Sequence, residues 1–453
     1  MLDFLKRNEI IISTVIFTVS ILFWDFKLNN IFQAKFLIVI LLPYLFINYE
    51  IRQLKKLIFF SLILISFLFL HSLAKVDFQI TYYFIFSLIF FYLLILIAFN
   101  FVKNFKLILK KSSIIFISIS NLLIILSIIL GNFKFYDHNL YYNGLCLVFF
   151  NENKSIFSYF FLENSHFGMT ASAIIVYLLL NFNKINYLNK INFLIFLILS
   201  YLYVGSLTLY LGISISIISI LVLRISKKFA VLSIFLLINT LLIFSLNNCL
   251  IRITQIIDID KVFTSHQDTI MVKKLRESEV VNSLAESKFF KFLEEKTNII
   301  LINEEIKEKE SFDENNKIKD GINVTTIIHI NHLLFASDAI RNHLFGVGFQ
   351  NYAIYAKKFA IKNKIIDGYS TMPLMNINDG ASNINKLLAE FGIINILFII
   401  LFLFGLYKNS ENSNAKSFIL TLVITQLLRG AGYFNGGFIF FILILIFLTL
   451  KKR

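Results

Sequence analysis

Long apolar stretches are the feature that most restricts how this chain can fold. A helix needs about 20 mostly apolar residues to cross the hydrocarbon core of a bilayer, and about twelve stretches of the chain approach that length. Backbone groups in lipid must find their hydrogen bonds inside the protein, which only helices and closed barrels achieve. The mean hydropathy of the chain is +0.76. A soluble domain could not bury so large a share of apolar residues in its core. The sequence therefore predicts an all-α fold, a polytopic integral membrane helical bundle.

The predicted spans form two groups, separated by a long polar region. A short turn at residues 205–208 divides the seventh span from the eighth, so that boundary is the least defined. The spans are predicted at residues 9–25, 31–49, 57–74, 79–102, 112–131, 165–182, 191–206, 207–223, 229–246, 386–407, 416–430 and 433–450. Three regions follow. Residues 1–246 hold about nine transmembrane helices, residues 247–385 form one large loop, and residues 386–453 hold about three more helices.

Lysine and arginine recur in alternate loops, which indicates how the helices are oriented. Cytoplasmic loops carry an excess of these residues, so both termini are predicted to be cytoplasmic and the large loop to lie on the outer side of the membrane. The net charge of +15 would suit a nucleic acid partner. The basic residues are spread over short loops, however, and do not form one continuous surface that could follow a phosphate backbone, so no nucleic acid is expected. The basic loops contain Lys6, Arg7, Arg52, Lys55, Lys56, Lys103, Lys106, Lys110, Lys111, Lys184, Lys190, Arg224, Lys227, Lys228, Lys408, Lys416, Lys451, Lys452 and Arg453.

Titratable side chains concentrate on the predicted outer side. All 7 histidines and both cysteines fall in outer loops or near outer helix ends. Two cysteines supply neither a zinc framework nor a disulfide scaffold. His329 and His332 are three residues apart, but no third ligand stands at a recognisable spacing, so no metal or other cofactor is expected.

The large loop has two parts of different character. Residues 273–320 are highly charged and predict a solvated helical or partly disordered insertion. Residues 327–342 repeat apolar side chains at helical spacing. They predict an amphipathic helix that lies on the membrane surface or packs on the bundle. Gly346 and Gly348 follow and are expected to end that helix.

Arg429 is a charged residue at the end of a predicted membrane span, where a charge is costly. It ends the eleventh predicted span and precedes the glycine-rich sequence GAGYFNGG. An arginine at the bilayer centre costs about 3 kcal/mol on insertion scales, while glycines allow a ligand to approach the backbone closely. Arg429 is therefore predicted to hold phosphate oxygens through its forked N–H groups. The alternative is an interfacial arginine that reaches toward water.

Two outer motifs could supply a proton acceptor. Glu163 and His166, in FLENSHFGMTASA, are three residues apart and can share a helix face, although helix capping is the alternative role. Asp379 precedes the tenth predicted span and is either a helix cap or a base. Glu390 lies inside that span, where a carboxylate is costly to bury.

The sequence SDAIRNHLFGVGFQNY contributes Arg341 and His343. These two residues are two positions apart, so they do not share a face of a regular helix. Arg341 pairs more naturally with Asp338, three residues earlier, and a local salt bridge is the alternative to ligand binding. The two glycines of FGVGF do not form a nucleotide-binding loop, because no strand precedes them and a third glycine is absent.

With these residues in place, the chain resembles the O-antigen polymerase and O-antigen ligase superfamily. The resemblance covers most of the chain in layout, and its local matches are FLENSHFGM, RNHLFGVGFQNY, DGASNINKLLAEFGIINILF and QLLRGAGYFNGGF. It implies an enzyme of the bacterial inner membrane that acts, without a metal, on sugars attached to undecaprenyl diphosphate. The loop arginines of the superfamily are thought to hold the lipid carrier, which points to Arg341 and Arg429.

Two departures from the superfamily pattern shape the expected function. Residues 379–383 lack the histidine of the His-x-x-Asn-like element that ligases tend to show, which favours a polymerase over a ligase. Residues 208–210 lack the Ser-Arg pair often found there, and Arg252 is the candidate to replace its charge. A non-enzymatic flippase is a further alternative, but repeated halves and charges deep within several spans are not visible.

The resemblance implies a glycosyltransferase that uses a polyprenyl-diphosphate-linked glycan as donor. Its expected partners are the undecaprenyl-diphosphate-linked oligosaccharide and membrane lipids, and a chain-length regulator protein is a further candidate. Glu163 or Asp379 is the expected base, with His166 and His343 as positioning groups. Arg341, Arg429 and Arg252 are the expected diphosphate ligands.

Overall fold

The computed structural model describes residues 2–28, 32–75, 80–129, 161, 164–204, 206–226, 228–245, 324–362, 376–408 and 413–450. Each apolar stretch identified in the sequence is helical over most of its length. The helices are α1 (Leu2–Phe17), α2 (Pro43–Asn48), α3 (Ile51–Leu73), α4 (Tyr82–Phe101), α5 (Phe105–Ile129), α6 (Asn164–Asn181), α7 (Tyr187–Leu199), α8 (Leu207–Val222), α9 (Phe229–Ser245), α10 (Val324–Asn342), α11 (Tyr352–Lys362), α12 (Asn383–Phe391), α13 (Ile394–Lys408), α14 (Ser413–Leu428) and α15 (Phe438–Leu450).

The all-helical character predicted from the sequence is confirmed for the described residues. The exception is a short antiparallel pair, β1 (Lys27–Leu28) with β2 (Phe32–Gln33). Four helical segments are long and apolar enough to cross a membrane by length and composition: α3, α4, α5 and Ser165–Lys184. Several shorter apolar helices, α8 and α15 among them, pack around them.

Three helices, α6, α8 and α14, pack against one another at the centre of the bundle. Small side chains at their crossings allow this close approach. A β-carbon at Gly212 of α8 would lie 2.3 Å from Thr425 Cγ2 of α14, and one at Gly168 of α6 would lie 2.5 Å from the Ser206 Oγ. This packing brings the first turn of α6 to the same end of the bundle as the last turn of α14.

The basic loops that the charge pattern assigns to one side share one end of the bundle, which we call the lysine-rich end. There the Lys110 ammonium donates to the Lys184 carbonyl at 3.3 Å, and Asn48 Nδ2 donates to Glu9 Oε1 at 2.7 Å. At the opposite end, His71 Nε2 lies 2.8 Å from the Phe345 carbonyl oxygen. The large-loop segment after α10 therefore covers the end opposite the lysine-rich end.

Helices α10, α11 and α12 form a small second core at this opposite end, which includes Leu334, Phe335 and Phe359. The helix predicted at residues 327–342 is present as α10, and it packs on α11 and α12. Asn331, which the pattern placed on its polar side, is fully buried. The prediction of one continuous span at residues 386–407 is wrong. The chain forms two helices there because it turns at Gly392, whose φ is 53°, and Ile393 N donates to the Leu344 carbonyl at 2.9 Å.

Candidate functional site

Asp379 interacts electrostatically with four basic residues at the end opposite the lysine-rich end. We call these five residues the Asp379 cluster: Lys35, His166, Asp379, Lys386 and Arg429. Burial raises the pKa of the Asp379 carboxyl, and the four basic groups oppose that rise, Lys386 most strongly. Sequence reasoning nominated three of the five, and the structure brings those three together.

The Asp379 side chain projects from a tight turn at residues 376–380, just before α12. Asp379 N and Gly380 N both donate to the Asn376 carbonyl, and Ala381 has a φ of 55°. Ser382 caps α12, because its Oγ accepts from Asn385 N at 3.3 Å. The N-cap of α12 is therefore Ser382 and not Asp379, which removes the helix-cap role considered for Asp379 in the sequence.

The Arg429 side chain is buried, with 9% of its surface exposed. It follows the last residue of α14, and its Nη1 donates to the Ala381 carbonyl at 3.4 Å. This carbonyl belongs to the turn that carries Asp379. The guanidinium is therefore directed into the protein at the Asp379 cluster rather than along the outer surface of the bundle.

The glycines after Arg429 allow the 430–437 turn to lie directly on the start of α12. A β-carbon at Gly430 would stand 2.3 Å from Asn383 N, and Gly432 N donates to Asn383 Oδ1 at 3.2 Å. The Lys35 ammonium donates to Asn435 Oδ1 in the same turn at 2.6 Å. The turn thus joins Lys35, Arg429 and the Asp379 segment into one unit.

His166 lies in the first turn of α6 and pairs with a carboxylate that sequence reasoning missed. His166 Nδ1 is 2.8 Å from Asp25 Oδ2, and the side chains are 13% and 5% exposed. The ring of Trp24 lies 4.9 Å from the His166 ring. The available signal was an acidic residue at the end of the first apolar stretch, where a charge needs a partner.

Lys386 and Glu390 are buried together on α12, with 2% and 0% of their surfaces exposed. The Lys386 ammonium donates to the Asn378 carbonyl at 2.7 Å and to Gln350 Oε1 at 3.0 Å, and it lies 4.8 Å from the Tyr433 ring centre. In sequence this pair resembles an ordinary surface pair of a helix, four residues apart, which is why Lys386 was not nominated.

Glu390 has one satisfied oxygen and one unsatisfied oxygen. Its Oε1 accepts from Tyr352 N at 3.4 Å. Its Oε2 and the Tyr433 hydroxyl interact electrostatically, but neither atom has a partner with full hydrogen-bond geometry. Burial raises the pKa of the Glu390 carboxyl, and Lys386 opposes that rise. The position of the Lys386 ammonium is therefore set by its hydrogen bonds to Asn378 and Gln350, and Glu390 acts on it only electrostatically.

The remaining nominated residues lie elsewhere. Arg341 is exposed in the last turn of α10, and the half-buried His343 ring lies edge-on to Tyr355 at 5.6 Å. Asp338, the expected partner of Arg341, accepts hydrogen bonds from the Tyr355 hydroxyl and from Asn342 Nδ2. Glu163 and Arg252 lie outside the described residues.

The described part of the chain contains no group of three or more His, Cys, Asp or Glu side chains that could hold a metal ion. His332, which the sequence offered as half of a metal pair, is buried with its Nδ1 2.6 Å from the Tyr352 hydroxyl. Comparison with protein-family models, with curated proteins and with solved structures gives no match for this chain.

Proposed function

We propose that this protein is an O-antigen or surface-polysaccharide polymerase. It joins undecaprenyl-diphosphate-linked oligosaccharide repeat units on the periplasmic face of the bacterial inner membrane. It crosses that membrane about twelve times, with both termini in the cytoplasm and residues 247–385 outside. The observation that carries this proposal is a pair of buried cations at the segment that bears Asp379: Arg429 donates to the Ala381 carbonyl and Lys386 to the Asn378 carbonyl, at the end of the bundle that the charge pattern makes periplasmic.

A lipid diphosphate is the ligand that this arrangement suits. Its polyprenol chain can remain among the apolar helices while its charged head meets Arg429, Lys386 and Lys35 at the end of the bundle. A forked guanidinium can hold two phosphate oxygens at once, whereas lysines act as point charges. Arg341 and Arg252, which belong to the large loop, are further candidates for the second lipid-linked substrate.

The reaction transfers a glycan from one diphosphate carrier to another. An acceptor sugar hydroxyl attacks the anomeric carbon of the donor, the bond from that carbon to the phosphate oxygen breaks, and the electron pair leaves with the diphosphate. Negative charge grows on the leaving group, so Arg429 and Lys386 stabilise the transition state more than the ground state. A base near the acceptor takes the hydroxyl proton. The diphosphate linkage supplies the free energy, so ATP is not required.

Deletion of the gene, followed by separation of the lipopolysaccharide by size, tests the proposal. A polymerase mutant carries core capped with a single repeat unit. Uncapped core with lipid-linked polymer accumulated on the periplasmic side would instead identify a ligase. Uncapped core with lipid-linked units accumulated on the cytoplasmic side would identify a flippase. Complementation with the wild-type gene must restore the long-chain ladder.

A further inference from the structure

We infer that His166 is the general base of this reaction and that Asp25 is the residue that positions it. The inference rests on the proposed polymerase function and adds a carboxylate and imidazole pair to it. The sequence placed His166 in a motif that could supply a proton acceptor and named it as a positioning group, and it did not nominate Asp25.

The first step is the geometry of the pair. Asp25 Oδ2 and His166 Nδ1 are 2.8 Å apart, although the two residues are 141 positions apart in sequence. A carboxylate can only accept at this distance, so Nδ1 carries the proton and donates it. The neutral ring then presents Nε2 as a lone-pair acceptor, which is the form that a general base needs. Among the described residues, no hydrogen bond engages His166 Nε2.

The second step is how the chain holds Asp25 in place. Thr18–Leu22 form a π-helical turn at the end of α1, closed by a 3.0 Å hydrogen bond from Phe23 N to the Thr18 carbonyl. Such turns are frequent at functional sites because they redirect the residues that follow. Here they direct Trp24 and Asp25 toward α6, where Trp24 packs against the His166 ring at 4.9 Å. The His166 imidazole is therefore held by Trp24 against one face of the ring and by Asp25 at Nδ1.

The third step is the position of the pair relative to the rest of the site. Trp24, which packs on the His166 ring, also packs against Ala431, two residues after Arg429, so the pair lies beside the Arg429 turn that binds the diphosphate in our proposal. Asp379 itself faces three other basic groups, which hold it as a charge-balancing carboxylate. A proton that moves from the acceptor hydroxyl to His166 Nε2 creates an imidazolium, and the Asp25 carboxylate stabilises that cation. Asp25 acts through His166 and does not touch the substrate.

Elongation of a lipid-linked repeat unit by isolated membranes, measured as kcat and KM, tests this assignment. Asp25→Asn preserves the shape of the pair but removes its charge and allows the wrong tautomer. We expect it to lower kcat at least tenfold with little change in KM, and we expect His166→Ala to lower kcat by about 10²–10⁴-fold. In the His166→Ala background, Asp25→Asn should cost nothing further. Glu9→Gln, the same change at the lysine-rich end, is the matched control and should behave as wild type.

The outcomes separate this inference from the proposed function. If wild-type membranes elongate the repeat unit and Asp25→Asn keeps the wild-type kcat, the role of Asp25 is overturned and the polymerase function stands. If Asp25→Asn costs the same factor with and without His166, Asp25 acts independently of the imidazole and the pair is overturned. If wild-type membranes do not elongate the unit at all, the proposed function falls and this assignment falls with it.

Discussion

Gly432 lies so close to Asp379 that a β-carbon at position 432 would stand 2.7 Å from the carboxylate oxygen Oδ1. The φ of Gly432 is 88°, which adds backbone strain to any substitution. Gly432→Ala must therefore displace either the carboxylate or the turn that carries Arg429. We expect long-chain polymer to fall at least tenfold, because a displacement of about 1 Å at a reacting site can cost 10²-fold. Size-resolved lipopolysaccharide, normalised to protein level, measures this.

The control for Gly432→Ala is Gly405→Ala in α13. A β-carbon at Gly405 would meet the end of the Leu445 side chain at 3.1 Å, and a side chain can shift where backbone cannot. Gly405→Ala should leave the polymer ladder unchanged. Equal loss of polymer in both variants would mean that general destabilisation, and not the position of Asp379, explains the effect.

Arg429→Lys should impair the proposed elongation although it keeps the positive charge. A lysine cannot form two parallel hydrogen bonds to phosphate oxygens, and its shorter reach loses the contact with the Ala381 carbonyl. We expect a loss of at least tenfold for Arg429→Lys and about 10²–10³-fold for Arg429→Ala in the rate of elongation. The exposed Arg52, at the start of α3 in the lysine-rich end, provides the control Arg52→Lys. Wild-type rates in Arg429→Ala would remove the diphosphate role from this residue.

The sequence located the helices and part of the site because both leave local signals. Apolar stretches of bilayer length mark the helices, and a charge next to such a stretch, as at Arg429 or His166, marks a residue that needs a partner. Asp25 and Lys386 gave weaker signals. The partner of Asp25 is 141 positions away, and the partners of Lys386 lie on several segments. Only the three-dimensional packing therefore shows that these two residues belong to the candidate site. The break at Gly392 was missed for the same reason.

Gly392 and Gly346 together make that break, and each packs against the backbone that directly precedes the other. A β-carbon at Gly392 would lie 2.1 Å from the Leu344 carbonyl oxygen, and one at Gly346 would lie 2.3 Å from the Glu390 carbonyl oxygen. Both have positive φ, which costs a residue with a side chain about 1–2 kcal/mol before any clash. Gly392→Ala should therefore lower the free energy of unfolding by more than about 2 kcal/mol. Thermal unfolding of the purified protein in detergent would detect this, and an unchanged melting temperature would show that the contact is not formed.

The pH dependence of stability should change when Asp379 loses its charge. Burial raises the pKa of this carboxyl in the folded protein, so the folded state favours the protonated form and loses stability as the pH rises through that raised pKa. Asparagine resembles the protonated form at every pH. Asp379→Asn should therefore raise the melting temperature at pH 7.5 and approach the wild-type value near pH 4, while polymer synthesis falls. A lower melting temperature at pH 7.5 would show that the four basic groups outweigh the cost of burial.

The orientation of the bundle can be measured by cysteine labelling, and the proposed function depends on it. Cys146 and Cys249 are first replaced by serine, and a single cysteine is then introduced as Arg341→Cys or Lys103→Cys, at exposed positions on opposite ends of the bundle. The charge pattern predicts that a maleimide unable to cross the inner membrane labels position 341 in intact spheroplasts, and labels position 103 only after the membrane is opened. The reverse result would place the Asp379 cluster in the cytoplasm. A lipid-linked oligosaccharide on the periplasmic face could not reach the cluster from there, so the reverse result would end the polymerase proposal whatever the mutant activities show.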